Sequence, residues 1–202
     1  MDLIIETVKK LELMMNDSGC GESGVVIDVR PDTVNCQFER GACMTASFGG
    51  RSADFITYDP IRANTKISFM FGTSLDSPQV RGAAVAIVNV ASGFFCLSRV
   101  LHSCPKSSHT ECCRQLLHEL GGKRIFCRGS IPAIEAAFRR TIVKDPGDAD
   151  VILVNGEGII EKGTGDIIQT YKDTKRIMYL GPSTAGVARL NQYELWCPFG
   201  TC

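Results

Sequence analysis

The run Arg176-Ile-Met-Tyr-Leu-Gly-Pro-Ser-Thr-Ala-Gly-Val-Ala-Arg-Leu190 decides how this chain is read. Residues 177–180 make an apolar strand, Gly181-Pro182 breaks it, and Ser183 or Thr184 caps a helix. A strand, a glycine turn and a helix start in direct succession leave backbone N–H groups facing outward, where the helix dipole also favours negative charge. One such turn is ordinary in any α/β protein. Here the turn recurs.

Arg124-Ile-Phe-Cys127 runs into Gly129 and Ser130, with Pro132 inside the first helical turn. Asp150-Val-Ile-Leu-Val154 runs into Asn155-Gly156-Glu157-Gly158, and Thr164-Gly165-Asp166 then opens a helix over 167–172. A further strand is predicted over 194–197 and a short one over 141–144. Apolar strands alternating with helical patterns predict a parallel sheet with helices on its faces, and ligands of such sheets bind outside the carboxyl ends of the strands.

The first half is organised differently. Leu3, Ile4, Val8, Leu11 and Met14 or Met15 sit at helical spacing on a helix ending near Asn16. Strands over 25–29, 33–38 and 42–48 predict an antiparallel meander, which Gly49-Gly50-Arg51-Ser52 interrupts. Residues 67–71 read as a strand or a helix end. Ser77 and Pro78 start another helix, on which Ala83, Ala84, Ile87, Val90 and Ala91 offer a face of small apolar residues. The expected architecture is therefore α/β. A small α+β unit with its linker helix spans 1–93, and a Rossmann-like unit with a mostly parallel sheet spans 94–202.

Composition narrows the function. The 202 residues carry 22 basic and 22 acidic side chains, well mixed, so no electrostatic footprint for nucleic acid is present. The start Met-Asp-Leu-Ile-Ile-Glu lacks a basic leader region, and the uncharged run over 82–98 falls short of the ~20 apolar residues of a spanning helix. A cytoplasmic chain with no membrane partner is the expectation. Ten cysteines without a secretion signal point to reduced thiols, metal ligands or redox chemistry rather than a disulfide framework. There is no G-x-G-x-x-G at a first strand-to-helix turn and no G-x-x-x-x-G-K-[ST], so NAD and ATP are not expected cofactors; nor is there a G-x-S-x-G elbow.

Three stretches carry a resemblance: Arg81-Gly-Ala-Ala-Val-Ala-Ile-Val-Asn89, Ala149-Asp-Val-Ile-Leu-Val-Asn-Gly156 and, above all, Leu180-Gly-Pro-Ser-Thr184. Together with the strand Gly41-Ala-Cys-Met-Thr-Ala46 they resemble the heavy-metal chelation domain family. Its members join an enolase-N-terminal-like α+β domain to a Rossmann-like domain. The resemblance implies a ligand site in the cleft between the two.

Residues 96–118 hold all three histidines, His102, His109 and His118, and four of the cysteines, Cys96, Cys104, Cys112 and Cys113. Thiolate and imidazole together suit zinc, nickel, copper or iron. Ser108 and Glu111 have the spacing of a capping box, so a helix should run from His109 to near Gly121. On it Cys113 shares a face with Leu116, Leu117 and Leu120, and His118 faces solvent. His109 and Cys112 are left as a ligand pair at the helix start, with Cys104 and His102 just upstream as the further metal ligands. Cys197 and Cys202 are further candidates.

The cofactor-binding residues expected are Gly181, Pro182, Ser183 and Thr184, Asn155, Gly156 and Glu157, Gly129 and Ser130, with Thr45 and Arg51 from the first unit. The expected function is the handling of a transition metal or a metal-containing organic cofactor. Its alternatives are a cofactor-biosynthesis enzyme performing group transfer on an anionic small molecule, and a non-catalytic oligomeric module. The partners expected are a small-molecule ligand and, as an open option, a second copy of the chain.

Overall fold

The computed structural model describes residues 2–36 and 43–202. The elements run α1 (Leu3–Met15), β1 (Gly24–Val29), β2 (Cys43–Phe48), β3 (Arg51–Ile56), β4 (Ala63–Lys66) and α2 (Pro78–Phe94). They continue with α3 (His109–Glu119), β5 (Ile125–Arg128), α4 (Pro132–Ala137), β6 (Val151–Val154) and α5 (Gly156–Ile160). The chain ends with α6 (Thr164–Tyr171), β7 (Arg176–Leu180), α7 (Ala185–Asn191) and β8 (Glu194–Trp196).

The fold is mixed α/β. An antiparallel sheet in the order β3-β2-β1-β4 comes from the first half, and a parallel sheet in the order β5-β6-β7-β8 from the second. The parallel strands are those read from the sequence, within a residue or two at each end. The expected short strand over 141–144 is reduced to a single parallel bridge between Ile125 and Ile142. No helix among the described residues is long and apolar enough to cross a membrane.

The first half departs from expectation in three places. Residues 33–36 form no strand, and the remainder of that expected strand, together with residue 42, lies outside the described residues. Gly49-Gly50 is not an interruption but the two-residue turn of a β2–β3 hairpin, with both glycines at positive φ (56° and 75°). Such a turn matches the twist of the strands it joins. The segment over 67–71 is a 3-10 turn, Ile67–Met70.

Helix α2 holds the sheets together. Ser77 accepts the Val80 N–H at its start and Pro78 occupies the first turn, as the sequence implied. Every residue from Arg81 to Gly93 is buried, because β2 and β3 pack on one side while α1 and α7 pack on the others. Glycine allows the closest of these approaches: a Cβ on Gly186 of α7 would lie 2.9 Å from the Val88 carbonyl oxygen. The main core is accordingly continuous, joining Leu11, Met44, Phe55, Val85 and Ile87 to Ile152, Val154, Tyr179 and Val187. A second cluster lies under α3 and α4 on the other face of the parallel sheet and contains Leu116, Leu120, Ile134, Leu153 and Met178.

Arg81 adds a polar clamp. Its guanidinium is held by Asp2 (2.6 and 3.2 Å), the N-cap of α1, and its Nε donates to the Ile160 carbonyl at 2.5 Å. Burial works against the Asp2 charge, but the hydrogen bond and charge of Arg81 hold the carboxyl below its ordinary range.

Candidate functional site

The turn after β7 is spent inside the protein. Ser183 and Thr184 are fully buried. The Ser183 hydroxyl accepts the N–H of Ile56, at the end of β3, at 2.8 Å. Asn89 of α2 donates to the Ser183 carbonyl at 2.9 Å and accepts the Gly186 N–H at 2.8 Å, thereby capping α7 from a neighbouring helix. The Thr184 hydroxyl donates to the Gly181 carbonyl at 3.0 Å. The backbone donors expected to face a ligand therefore include several that are already satisfied. This turn joins the parallel sheet to β3 and α2.

The other turn residues gather at the same junction. Asn155 caps α5 by accepting the Gly158 N–H (2.8 Å) and donates to the Ser130 carbonyl (2.9 Å), and Gly129 at φ 82° leaves room for the Asn155 side chain. A Cβ on Gly156 would lie 2.7 Å from Ser183 Cβ and 2.9 Å from the Ile56 oxygen. Glu157, the loop carboxylate of this set, accepts the Tyr58 N–H at 2.7 Å. Thr45 stands on β2 and donates to Asp54 (2.9 Å), while Arg51 lies at the far end of β3 from Ile56. Five strand residues span roughly 16 Å, so Arg51 does not share a cleft with Ser183.

We expect Ser183→Ala to lower the stability of the ligand-free protein by about 2 kcal/mol, because it strands the Ile56 N–H in a dry site. A melt should register this as a fall of roughly 5 °C. An unchanged melting temperature would mean that the hydroxyl is not needed for the junction.

A cavity of about 780 Å³ opens beside this junction, at the carboxyl ends of β7 and β8. Leu116, Ile131, Ile134, Leu180, Trp196 and Phe199 supply its apolar walls. Cys36, Cys104, His109, Cys112 and Cys197 line it as well, and of the turn after β7 only Gly181 reaches it. Cys104, His109 and Cys112, grouped in the sequence as candidate metal ligands, thus line one cavity. Of the two further candidates Cys197 reaches the cavity and Cys202 does not line it, while Cys36, which arrives from the first half of the chain, was not singled out. Cys113, assigned to the leucine face, also reaches the cavity wall, and His118 is exposed. His102 faces elsewhere: its Nδ1 lies 3.3 Å from Asp54 and its Nε2 lies 3.3 Å from Ser52 Oγ.

The thiols are not equivalent. A hydrogen bond with Cys36 is the strongest influence on Cys104; with the nearby His109 it overcomes burial and brings the Cys104 pKa down to about 6. Cys36, the partner in that hydrogen bond and itself half-buried, is pushed well up. Burial raises Cys112 as well and holds Cys197 up at about 12. Cys112, although it stands at the helix start, is therefore not the readiest thiolate of the group. The expected capping box is absent too: Ser108 makes no side-chain cap, and Glu111 turns to Arg114 (2.6 and 2.8 Å) and Gln115. His109 Nε2 is shielded from solvent and has no hydrogen-bond partner among the described residues. Among those residues, no three His, Cys, Asp or Glu side chains stand close enough together to hold a bare metal ion.

The fold is that of DUF364-family proteins. One, from Desulfitobacterium hafniense DCB-2, aligns over 94% of this chain and 83% of its own with a TM-score of 0.53 at 12% identity. Another, from Pyrococcus horikoshii, aligns over 91% and 80% with a TM-score of 0.51 at 14% identity. Both are described as proteins of unknown function, and at such identities the likeness is one of fold. No family profile matches the chain, and no curated protein matches it in sequence.

Proposed function

We propose that the cavity binds a metal-containing small molecule, with its apolar walls on the organic frame and its thiols and imidazole toward the metal. One observation carries this reading: Cys36, Cys104, His109, Cys112 and Cys197 meet on a single apolar-walled cavity. Its volume falls in the range of small-molecule sites, and soft thiolate and imidazole donors favour zinc, copper, nickel or iron over hard cations. A Cys104 thiolate present at neutral pH supplies the ligand form. The spread of the donors suits a metal already coordinated by an organic frame, which needs one or two protein ligands, better than a bare ion, which needs four. The resemblance of Leu180-Gly-Pro-Ser-Thr184 to the heavy-metal chelation family supports the same class of ligand.

Group transfer by a cofactor-biosynthesis enzyme is the second reading. The Cys104–His109 pair favours it, since a thiolate beside an imidazole is an activated nucleophile. Anaerobic purification, elemental analysis and thermal-shift titration with paired metal-loaded and metal-free tetrapyrroles separate the two. A metal-dependent shift supports binding through the metal. Equal shifts from the paired compounds, with no metal retained, would overturn it.

A further inference from the structure

On the outer edge of the antiparallel sheet, away from the cysteine cavity, three polar side chains form a chain of contacts. Ser52 and Asp54 are two residues apart on β3 and so project from the same face of the sheet. His102 lies between them, with Nε2 3.3 Å from Ser52 Oγ and Nδ1 3.3 Å from Asp54 Oδ1. From these contacts we infer a hydrolytic site, with Ser52 as nucleophile and His102 as general base, and with Asp54 as the residue that positions the imidazole.

The carboxylate is built for that task. It is 6% exposed, accepts the Thr45 hydroxyl at 2.9 Å, and accepts the Ser103 N–H at 3.2 Å from the residue after the histidine. Burial opposes its ionisation, but His102, Ser103 and Thr45 together hold it below the ordinary carboxylate range. An ionised Asp54 beside Nδ1 favours the tautomer that carries its proton there and leaves Nε2 free to accept from Ser52. The segment carrying His102 is itself pinned to β3, because the Asp54 N–H donates to the Leu101 carbonyl at 2.7 Å.

The same hydrogen bond reveals the oxyanion donor. In the β2–β3 ladder, an outward-facing Asp54 N–H means that alternate residues of β3 also face outward. Ser52 is one of them, and β3 is the edge strand. The Ser52 N–H therefore points to the open edge beside its own hydroxyl, where the oxygen of a tetrahedral adduct would lie. A solvent-open depression of about 400 Å³ along Ser47, Gly49, Gly50, Arg51 and Ser52 gives access. Its shallowness limits the acyl group to a short one, and Arg51 is its cation.

The substrate class is a short-chain carboxylic ester. Ser52 Oγ bonds to the carbonyl carbon as its proton passes to His102 Nε2. The ester C–O bond then breaks, and the departing alcohol takes that proton. Water, deprotonated by the same nitrogen, attacks the acyl-serine, releasing the acid and restoring Ser52.

The test uses a fluorophosphonate probe, selective for activated serines, with peptide mapping by mass spectrometry. Turnover of p-nitrophenyl acetate is followed in parallel in a Cys104→Ala background, which removes the competing thiolate. Wild type should gain one phosphonyl group, on Ser52, and Ser52→Ala none, with a melting temperature within a few degrees of wild type. His102→Gln should slow labelling at least a hundredfold. Asp54→Asn should lower kcat by about a thousandfold while KM stays within about threefold, a split that a merely bracing carboxylate would not produce. An unlabelled wild type, a label retained in Ser52→Ala, or unchanged turnover in that variant would overturn the proposal. None of these results depends on whether the cysteine cavity binds a metal compound.

Discussion

Gly158→Ala should destabilise the protein by about 3 kcal/mol or more, lowering its melting temperature by roughly 10 °C. A Cβ at this position of α5 would run into the carbonyl oxygen of Arg128, at the end of β5, and would lie 3.1 Å from the Gly129 nitrogen. These are backbone atoms, so no side-chain rotation relieves the overlap. The β5–α4 connection would have to move, breaking the bond between Asn155 and the Ser130 carbonyl. Gly163→Ala is the matched control. That residue sits at φ 86° with nothing nearer its Cβ than an Arg128 Nη2 at 4.0 Å, so only the left-handed conformation is penalised, at about 1 kcal/mol. Calorimetry of the two variants should rank them in this order. A Gly158→Ala protein no less stable than Gly163→Ala would show that α5 can shift away from β5.

The second large effect concerns Cys104. If the cavity meets a metal through its thiols, Cys104→Ala should weaken binding of a metal-loaded tetrapyrrole by about a hundredfold or more, whereas Cys113→Ala should change it by less than about threefold. The contrast rests on ionisation: Cys104 is brought to about 6, while burial pushes Cys113 above the ordinary thiol value. A sign follows for pH. Above about 6 the Cys104 thiolate is already formed, and no proton need leave it when metal binds. Below that value a proton must be displaced, and the affinity contributed by this residue should fall by about tenfold per pH unit. Anaerobic titrations across that range measure both expectations. Equal affinities in wild type and Cys104→Ala would remove the thiolate from the site.

The sequence was most legible where a single local pattern dominates. The parallel strands β5 to β7 are short apolar runs ended by glycine or by an Asn-Gly pair, and β8 is a similar run near the end of the chain; no competing pattern obscures them. The strand β3 was missed because Arg51-Ser52-Ala53-Asp54 opens with polar residues, and because Gly49-Gly50 was taken as a break rather than as the turn of a hairpin. The dipeptide between two alternating runs was the available signal. The capping box failed for a nearby reason: Glu111 has Arg114 three residues on, and that pairing competes for its carboxylate.

At the candidate site, proximity along the chain set the limit. Cys104, His109 and Cys112 lie within nine residues, where helical phase pairs His109 with Cys112 and nearness in sequence adds Cys104. Cys36 and Cys197 join them through tertiary folding, which spacing does not encode. The turn after β7 meets the same limit. Its form matched that of an anion cradle, but Asn89 and Ile56, more than ninety residues away in sequence, supply its partners. The contact of His102 with Ser52 and Asp54 is equally long-range.

Helix α2 has no face turned to water from Arg81 to Gly93: β2 and β3 cover one side, and α1, α7 and the turn after β7 cover the other. Its backbone amides therefore have no private route to solvent; isotope can reach them only when the whole molecule opens. A chain severed after α2 would leave α7 and the turn after β7 without the rod they pack against. The two halves are distinct in pattern but interdependent in energy, and each is the other's solvent shield.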